Sequence, residues 1–212
     1  MTRLLVVTAV QAEAEAFRAA TTSARITIEV VGAGPAVAAA GTARLLALAE
    51  AAGTPYEAVI CAGIAGGFPT RAPVGATVLA VRSIAADLGA ESPGGFLAID
   101  ELGFGTSTLP ADPNLRKTLK ERLPYARDGD ILTLATVTGT AATAAALAAR
   151  YPGALAEAME GYGVASAAAL AGVAYAEIRT ISNPIGPRDR AAWRLGEALA
   201  ALTTAAGQLA CG

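Results

Sequence analysis

The chain of 212 residues contains no histidine. That absence excludes imidazole acid/base chemistry, Ser-His triads and His-ligated zinc together, so any catalysis must rest on carboxylates, amides, hydroxyls and the backbone. Cysteine is nearly missing as well: Cys61 lies in an apolar run and Cys211 at the C-terminal end, which makes no disulfide framework and suits a reducing compartment. Positive charge is not in excess. The formal net charge is −2, leaving no basic field to hold a nucleic acid backbone or an anionic membrane, and a small, nearly neutral partner is expected. No apolar run is long enough to span a bilayer. "MTRLLVVTAV" is followed by Glu13 and Glu15 without a small-residue cleavage site, and reads as the first strand of a cytoplasmic protein.

What is present is apolar and glycine-punctuated. Hydrophobic residues make up 54% and charged residues 16%, enough for one sizeable core, and the expected organisation is a single domain over 1–212 with no repeat period or linker. Short β-rich runs alternate with alanine-rich helical stretches, the pattern of an α/β sandwich. Strands are expected at 3–9, 26–32, 57–63, 76–84, 130–137 and 173–182, and helices near 11–20, 35–52, 113–123, 140–150, 160–171 and 188–210. Several of the strands are apolar throughout, as when helices cover both faces. Gly and Pro cluster at 63–75 and 92–113, where irregular loops are expected.

Four stretches invite chemistry. "GAGPAV" at 32–37 imitates a dinucleotide fingerprint, but Val37 stands at its third glycine position and Pro35 at the helix entry. "CAGIAGGF" at 61–68 ends a strand with Gly63, Gly66 and Gly67, either as a tight turn or as a place where the backbone approaches a ligand. Glu13 follows the first strand, and Glu160, in "AME", opens an apolar helix; each is also explained as an acid stabilising a helix start. In "IRTISNPIG", Ser182 and Asn183 end a strand at Pro184, and an asparagine there also serves a turn.

Together these stretches resemble the purine nucleoside phosphorylase and nucleosidase superfamily. They are most similar to its nucleoside-hydrolysing branch, which includes the methylthioadenosine/adenosylhomocysteine nucleosidases and the futalosine hydrolases of the menaquinone pathway. The resemblance runs in order along nearly the whole chain and is carried most specifically by "AME" and "ISN". It implies a three-layer αβα sandwich around a mixed central β-sheet, a homodimer, no cofactor or metal, and cleavage of a ribosyl N-glycosidic bond. By position it implies that Glu13 activates water, Glu160 grips the ribose 2′ and 3′ hydroxyls, Met159 packs beside the sugar, and Asn183 faces the purine N7 and its 6-substituent. Gly63, Ile64 and Ser182 fall in the matching turn and strand end, and Thr138 to Thr143 matches the segment beside the base. Asn183 stands where adenine-specific members carry aspartate, Ile64 where serine or threonine is usual, and Ala142 replaces the phenylalanine that stacks on adenine.

The chemistry asks for these types independently of the resemblance. Breaking the C1′–N9 bond passes through an oxocarbenium-like sugar, which needs a carboxylate to orient water and a second to hold the diol. Glu13 and Glu160 suit those tasks. Glu15, Glu157, Asp100 and Glu101 read more readily as solvated surface. The glycine turn shows no adjacent arginine or serine to hold phosphate, which favours water over phosphorolysis. Arg190 and Arg194, with Arg188 nearby and Trp193 or Phe104 as an apolar wall, form either a solvated helix face or a clamp for an anionic 5′ group. The expected reaction is hydrolysis of a 6-oxopurine nucleoside. An adenine-type nucleosidase, a phosphorylase and a non-catalytic nucleoside sensor remain open.

Overall fold

The computed structural model describes residues 3–21 and 23–210. Cys211 lies outside them. Ten strands and six helices follow in the order β1 Leu4–Thr8, α1 Gln11–Arg18, β2 Ile26–Val30, α2 Pro35–Ala51, β3 Ala58–Gly67, β4 Thr77–Ala85, β5 Gly89–Ser92, β6 Gly95–Ala98, β7 Thr108–Pro110, α3 Pro113–Arg122, β8 Arg127–Thr133, α4 Ala141–Arg150, β9 Ala154–Ala158, α5 Gly161–Ala171, β10 Ala174–Pro184 and α6 Leu195–Ala210. Local chemistry sets several of the helix ends. Asp112 and Thr140 cap α3 and α4 by accepting from the amides of Leu115 and Thr143, Pro113 and Pro35 occupy first-turn positions, and Gly172 closes α5 in the left-handed region at φ 66°.

The large sheet is mixed and runs β10-β4-β8-β9-β3-β1-β2, with β7 on the edge of β4 and a further pairing of β10 with β3. That last pairing closes β3, β10, β4, β8 and β9 into a ring. Within it β3 changes neighbours: its first half, Ala58 to Cys61, pairs with β1, whereas Gly66 and Gly67 pair with β9, and β10 follows it along both halves. Between the departure of β1 and the arrival of β9 the sheet forks at Gly63 to Ala65. Open α/β folds build sites at such switch points. Helices α1, α3 and α6 cover one face through Phe17, Leu119, Leu123 and Leu202, and α2 and α5 cover the other through Leu46, Val164 and Ala168. The layered, mixed αβα arrangement is the one expected.

The differences lie in the irregular stretches. Strand β9, "ALAEA", reads as helix by composition, but here a partner on each side outweighs alanine's preference. The 92–113 region holds β6, β7 and the end of the β5–β6 hairpin, and β3 runs on through the expected loop to Gly67. The expected helix over 188–210 is broken: Arg190–Ala192 form a 3₁₀ turn, Trp193 is extended at φ −73°, ψ 132°, and only then does α6 begin.

Candidate active site

Glu13 reaches the fork from the first turn of α1. Its Oε2 accepts from the amides of Ala9 (3.0 Å) and Val10 (3.2 Å), which tie the helix start, and its Oε1 accepts from the Ile64 amide at 2.8 Å. The capping role read from sequence is real, yet the same carboxylate spans to β3. It is 3% exposed, and burial raises its pKa above the usual carboxylate value, with opposition from the nearby Arg179 charge and the Ile64 amide. Gly63 is required beside it: a Cβ there would lie 2.5 Å from Glu13 Oε1 and 2.8 Å from Arg179 Nη1.

Arg179 is the residue that sequence reasoning missed, and it corrects the expectation that no arginine borders the glycine turn. It is 1% exposed, and its guanidinium is engaged with Glu177 Oε1 (2.9 Å), Glu160 Oε2 (3.2 Å), Cys61 Sγ (3.1 Å) and the Ile64 carbonyl (3.5 Å). Glu177 is itself fully buried, accepts from Ser83 and from Tyr175 (3.0 Å), and crowds Gly161 so closely that no side chain fits there. The signal was present in "YAEIRTIS": two opposite charges two residues apart in an apolar strand point to the same face, and a buried charge must be paired.

Glu160 occupies the N-cap of α5 without capping it. Its Oε1 accepts from Gly34 (3.2 Å) and its Oε2 from Met159 (3.3 Å) besides Arg179. The glycine-rich "GAGPAV" is thereby explained. Gly34, in the left-handed region at φ 98°, turns its amide toward Glu160, and Gly163 of α5 abuts the Pro35 carbonyl, where no side chain would fit. Met159 is half-buried next to Glu160.

Farther along β3, Gly66 pairs with Glu157 of β9 on one side and with Asn183 of β10 on the other. A register shift between Ile181 and Asn183 sets the latter pairing. The two side chains border a cavity of about 80 Å³ also lined by Val137, Thr138, Ile185 and Trp193. Asn183 Oδ1 accepts from the Ser182 hydroxyl at 2.8 Å, and its Nδ2 donates to the Pro184 carbonyl at 3.0 Å, so the amide both serves the turn and faces the cavity. Ser182 is buried and also donates to the Ala65 carbonyl at 3.2 Å. Glu157, read from sequence as surface, is 4% exposed.

The remaining expected residues divide. Ile64 contributes its amide to Glu13, a role any non-proline residue fills. Thr138 lines the Asn183 cavity, and Thr143, held by Thr140 at the start of α4, lines an adjoining one. Ala142 is exposed, and Trp193 is the aromatic ring on the cavity wall, with Arg188 and Arg190 stacked 5.5 and 5.8 Å from its centre. The expected clamp is not assembled as drawn. Arg188 lines this cavity, while Arg194 turns back to the carbonyls of Ala191 and Trp193 and to Glu197. Phe104 is 83% exposed, and no helix among the described residues is long and apolar enough to cross a membrane.

The chain is similar in sequence and in fold to known proteins. Residues 5–211 match the sequence model of the phosphorylase superfamily. The chain is 58% identical over 180 residues to the futalosine hydrolase of Streptomyces coelicolor, covering 84% of this chain and 76% of that one. It is 40% identical over 166 residues to that of Thermus thermophilus, covering 76% and 72%. In fold it is similar to a 5′-methylthioadenosine/S-adenosylhomocysteine nucleosidase from Neisseria meningitidis, with TM-score 0.85 at 19% identity over 99% of both chains. The futalosine hydrolase of Helicobacter pylori superposes with TM-score 0.82 at 14% identity, covering 98% of this chain and 97% of the other.

Proposed function

The chain belongs to the phosphorylase superfamily, and we propose that it uses water, not phosphate, to cleave the N-glycosidic bond of a 6-oxopurine nucleoside. Futalosine is the substrate favoured by the resemblance and by the named relatives, with hypoxanthine as the released base and menaquinone synthesis as the setting. The observation that carries the choice of water is the charge balance at the fork. Arg179, the cation beside the glycine turn, has its guanidinium divided between Glu177 and Glu160 with Glu13 close by, so the carboxylates outnumber it and a phosphate dianion meets repulsion.

In this reading Glu13 takes a proton from water as the water oxygen bonds to C1′, and the C1′–N9 electron pair leaves with the base. Its raised pKa makes it a better base than an ordinary carboxylate. Glu160, oriented by two amides and Arg179, accepts from the ribose diol and places negative charge near the developing oxocarbenium. Asn183 offers Oδ1 to a protonated N7 and Nδ2 to O6, and Trp193 supplies the aromatic wall that Ala142 lacks. Arg188 is the cation placed to meet an anionic 5′ group.

A homodimer is part of the proposal. Helix α2 is apolar on nearly every side and leaves Val37 and Leu48 55 and 53% exposed, apolar area that a second copy would cover. The buried free thiol of Cys61 suits a reducing cytoplasm. Incubation with futalosine, inosine and adenosine, with and without phosphate, followed by chromatography of the freed base, tests the reading. Hypoxanthine release that does not need phosphate supports it; a phosphate requirement, or adenine as the preferred leaving group, overturns it.

A further inference from the structure

Glu157 is a buried carboxylate for which the cleavage chemistry has no use. Across the ring, Glu157, Gly66 and Asn183 stand in register on three neighbouring strands, so the two side chains rise from the same face with two strand spacings, about 10 Å, between their Cα atoms. Gly66 itself adds no side chain between them, and an Ile185 methyl fills the space directly over it, 2.7 Å from where a Cβ would stand. Glu157, Asn183 and Ile185 all line the cavity that Trp193 walls, two polar groups with an apolar residue between them.

The carboxylate is held for a purpose that its own contacts do not complete. The Thr138 amide donates to Oε1 at 2.6 Å and the Thr138 hydroxyl donates to Oε2, leaving each oxygen a further lone pair. No ion pair to Glu157 occurs among the described residues. A desolvated carboxylate without a cation is costly, and an incoming N–H donor would offset part of that cost.

We propose that Glu157 is a specificity-determining residue that accepts a hydrogen bond from N1–H of a 6-oxopurine, completing along one base edge what Asn183 begins at N7 and O6. The inference rests on the hydrolase reading and deepens it. Hypoxanthine in its lactam form carries a hydrogen on N1, whereas adenine presents a bare N1 lone pair to the carboxylate. Adenine is therefore refused twice, donor against donor at Asn183 and acceptor against acceptor at Glu157. Thr138 acts through Glu157 by fixing its plane.

Competitive inhibition of hydrolysis by hypoxanthine, 1-methylhypoxanthine and adenine tests the contact in the parent, Glu157→Gln and Glu157→Ala. The parent should bind hypoxanthine at least about tenfold tighter than either other base. Glu157→Gln, equal in size but able to donate to adenine N1, should narrow the hypoxanthine-to-adenine ratio by about tenfold, and Glu157→Ala should admit 1-methylhypoxanthine to within about threefold of hypoxanthine. If the parent releases hypoxanthine without phosphate yet is inhibited equally by hypoxanthine and its 1-methyl derivative, the N1 contact is wrong and the hydrolase reading stands. A ratio unmoved in Glu157→Gln overturns the inference in the same way. If the parent cleaves no 6-oxopurine nucleoside, both fall. The comparison of bases in the parent decides even if neither variant folds.

Discussion

The amide of Ile64 donates a 2.8 Å hydrogen bond to Glu13 Oε1, joining residues 51 apart in the chain. Through this bond the first helix and the glycine turn of β3 become one rigid unit, and the carboxylate is aimed by backbone on both of its oxygens. The side chain at position 64 takes no part in that bond, because the contact belongs to the main chain.

Glu13→Gln should retain fold and nucleoside binding and lose kcat by about 10²- to 10⁴-fold, the usual contribution of a general base. One amide oxygen cannot accept from Ile64 on one side and from Ala9 and Val10 on the other, so glutamine leaves one set of backbone donors facing its NH₂ and should lower stability by about 1–3 kcal/mol. A kcat near that of the parent would remove Glu13 from the reaction.

The pH profile carries a sign. A general base works only when ionised, and burial raises the Glu13 pKa, so the acid limb of kcat/KM should fall at a higher pH than the ~4.3 of an ordinary glutamate. Arg179 acts against that rise. Arg179→Gln should push the limb higher still, and should also lower stability by about 3–5 kcal/mol, since it leaves Glu177 buried without its cation. Rate profiles with unfolding curves for the two proteins separate the effects, and a limb that does not move would mean that Glu13 is not the titrating base.

Glu160→Gln should raise KM and lower kcat together, because contacts to the ribose diol exist in both ground and transition states. The parent should also discriminate against 2′-deoxyribosyl substrates. Equal handling of deoxyinosine and inosine would end the assignment of Glu160 to the diol.

Asn183→Asp should cut kcat/KM on futalosine or inosine and raise the relative rate on the 6-amino analogue, since an ionised carboxylate repels O6 but accepts from an amino group. The shift should be smaller than for a lone determinant, because Glu157 continues to oppose adenine at N1. Measuring both bases in the parent, Asn183→Asp and the double variant with Glu157→Gln checks this, and a preference that stays put in Asn183→Asp reduces Asn183 to a turn residue.

The layered fold was legible because its signals are local: apolar runs such as "RLLVV", the alanine-rich helical stretches and the Gly and Pro clusters between them report on their immediate neighbours. Glu13, Glu160 and Asn183 were legible through family resemblance; Glu13 and Glu160 meet at the fork through Ile64 and Arg179, and Asn183 stands farther along β3 beside Gly66. What sequence hid depends on distant pairing. "ALAEA" is a strand only because β3 and β8 flank it, and Glu157 is buried only because that strand exists. Arg179 was concealed differently, since its neighbours at Gly63 lie more than a hundred residues away. The Arg190 and Arg194 pair misled because helical spacing was assumed across a segment that is extended at Trp193.

The register shift between Ile181 and Asn183 makes the choice of base a matter of parity. Counting residues evenly along β10 from Ile181 would put Ser182 opposite Gly66 and turn Asn183 toward the other face. One extra residue in the ladder decides which of two adjacent residues stands opposite Gly66. Regular pairing through this point, with no residue left out of the ladder, would set a hydroxyl where the amide now stands without substituting either one. If Asn183 reads the base as proposed, selectivity is stored in the counting of a strand as much as in the chemistry of its side chains.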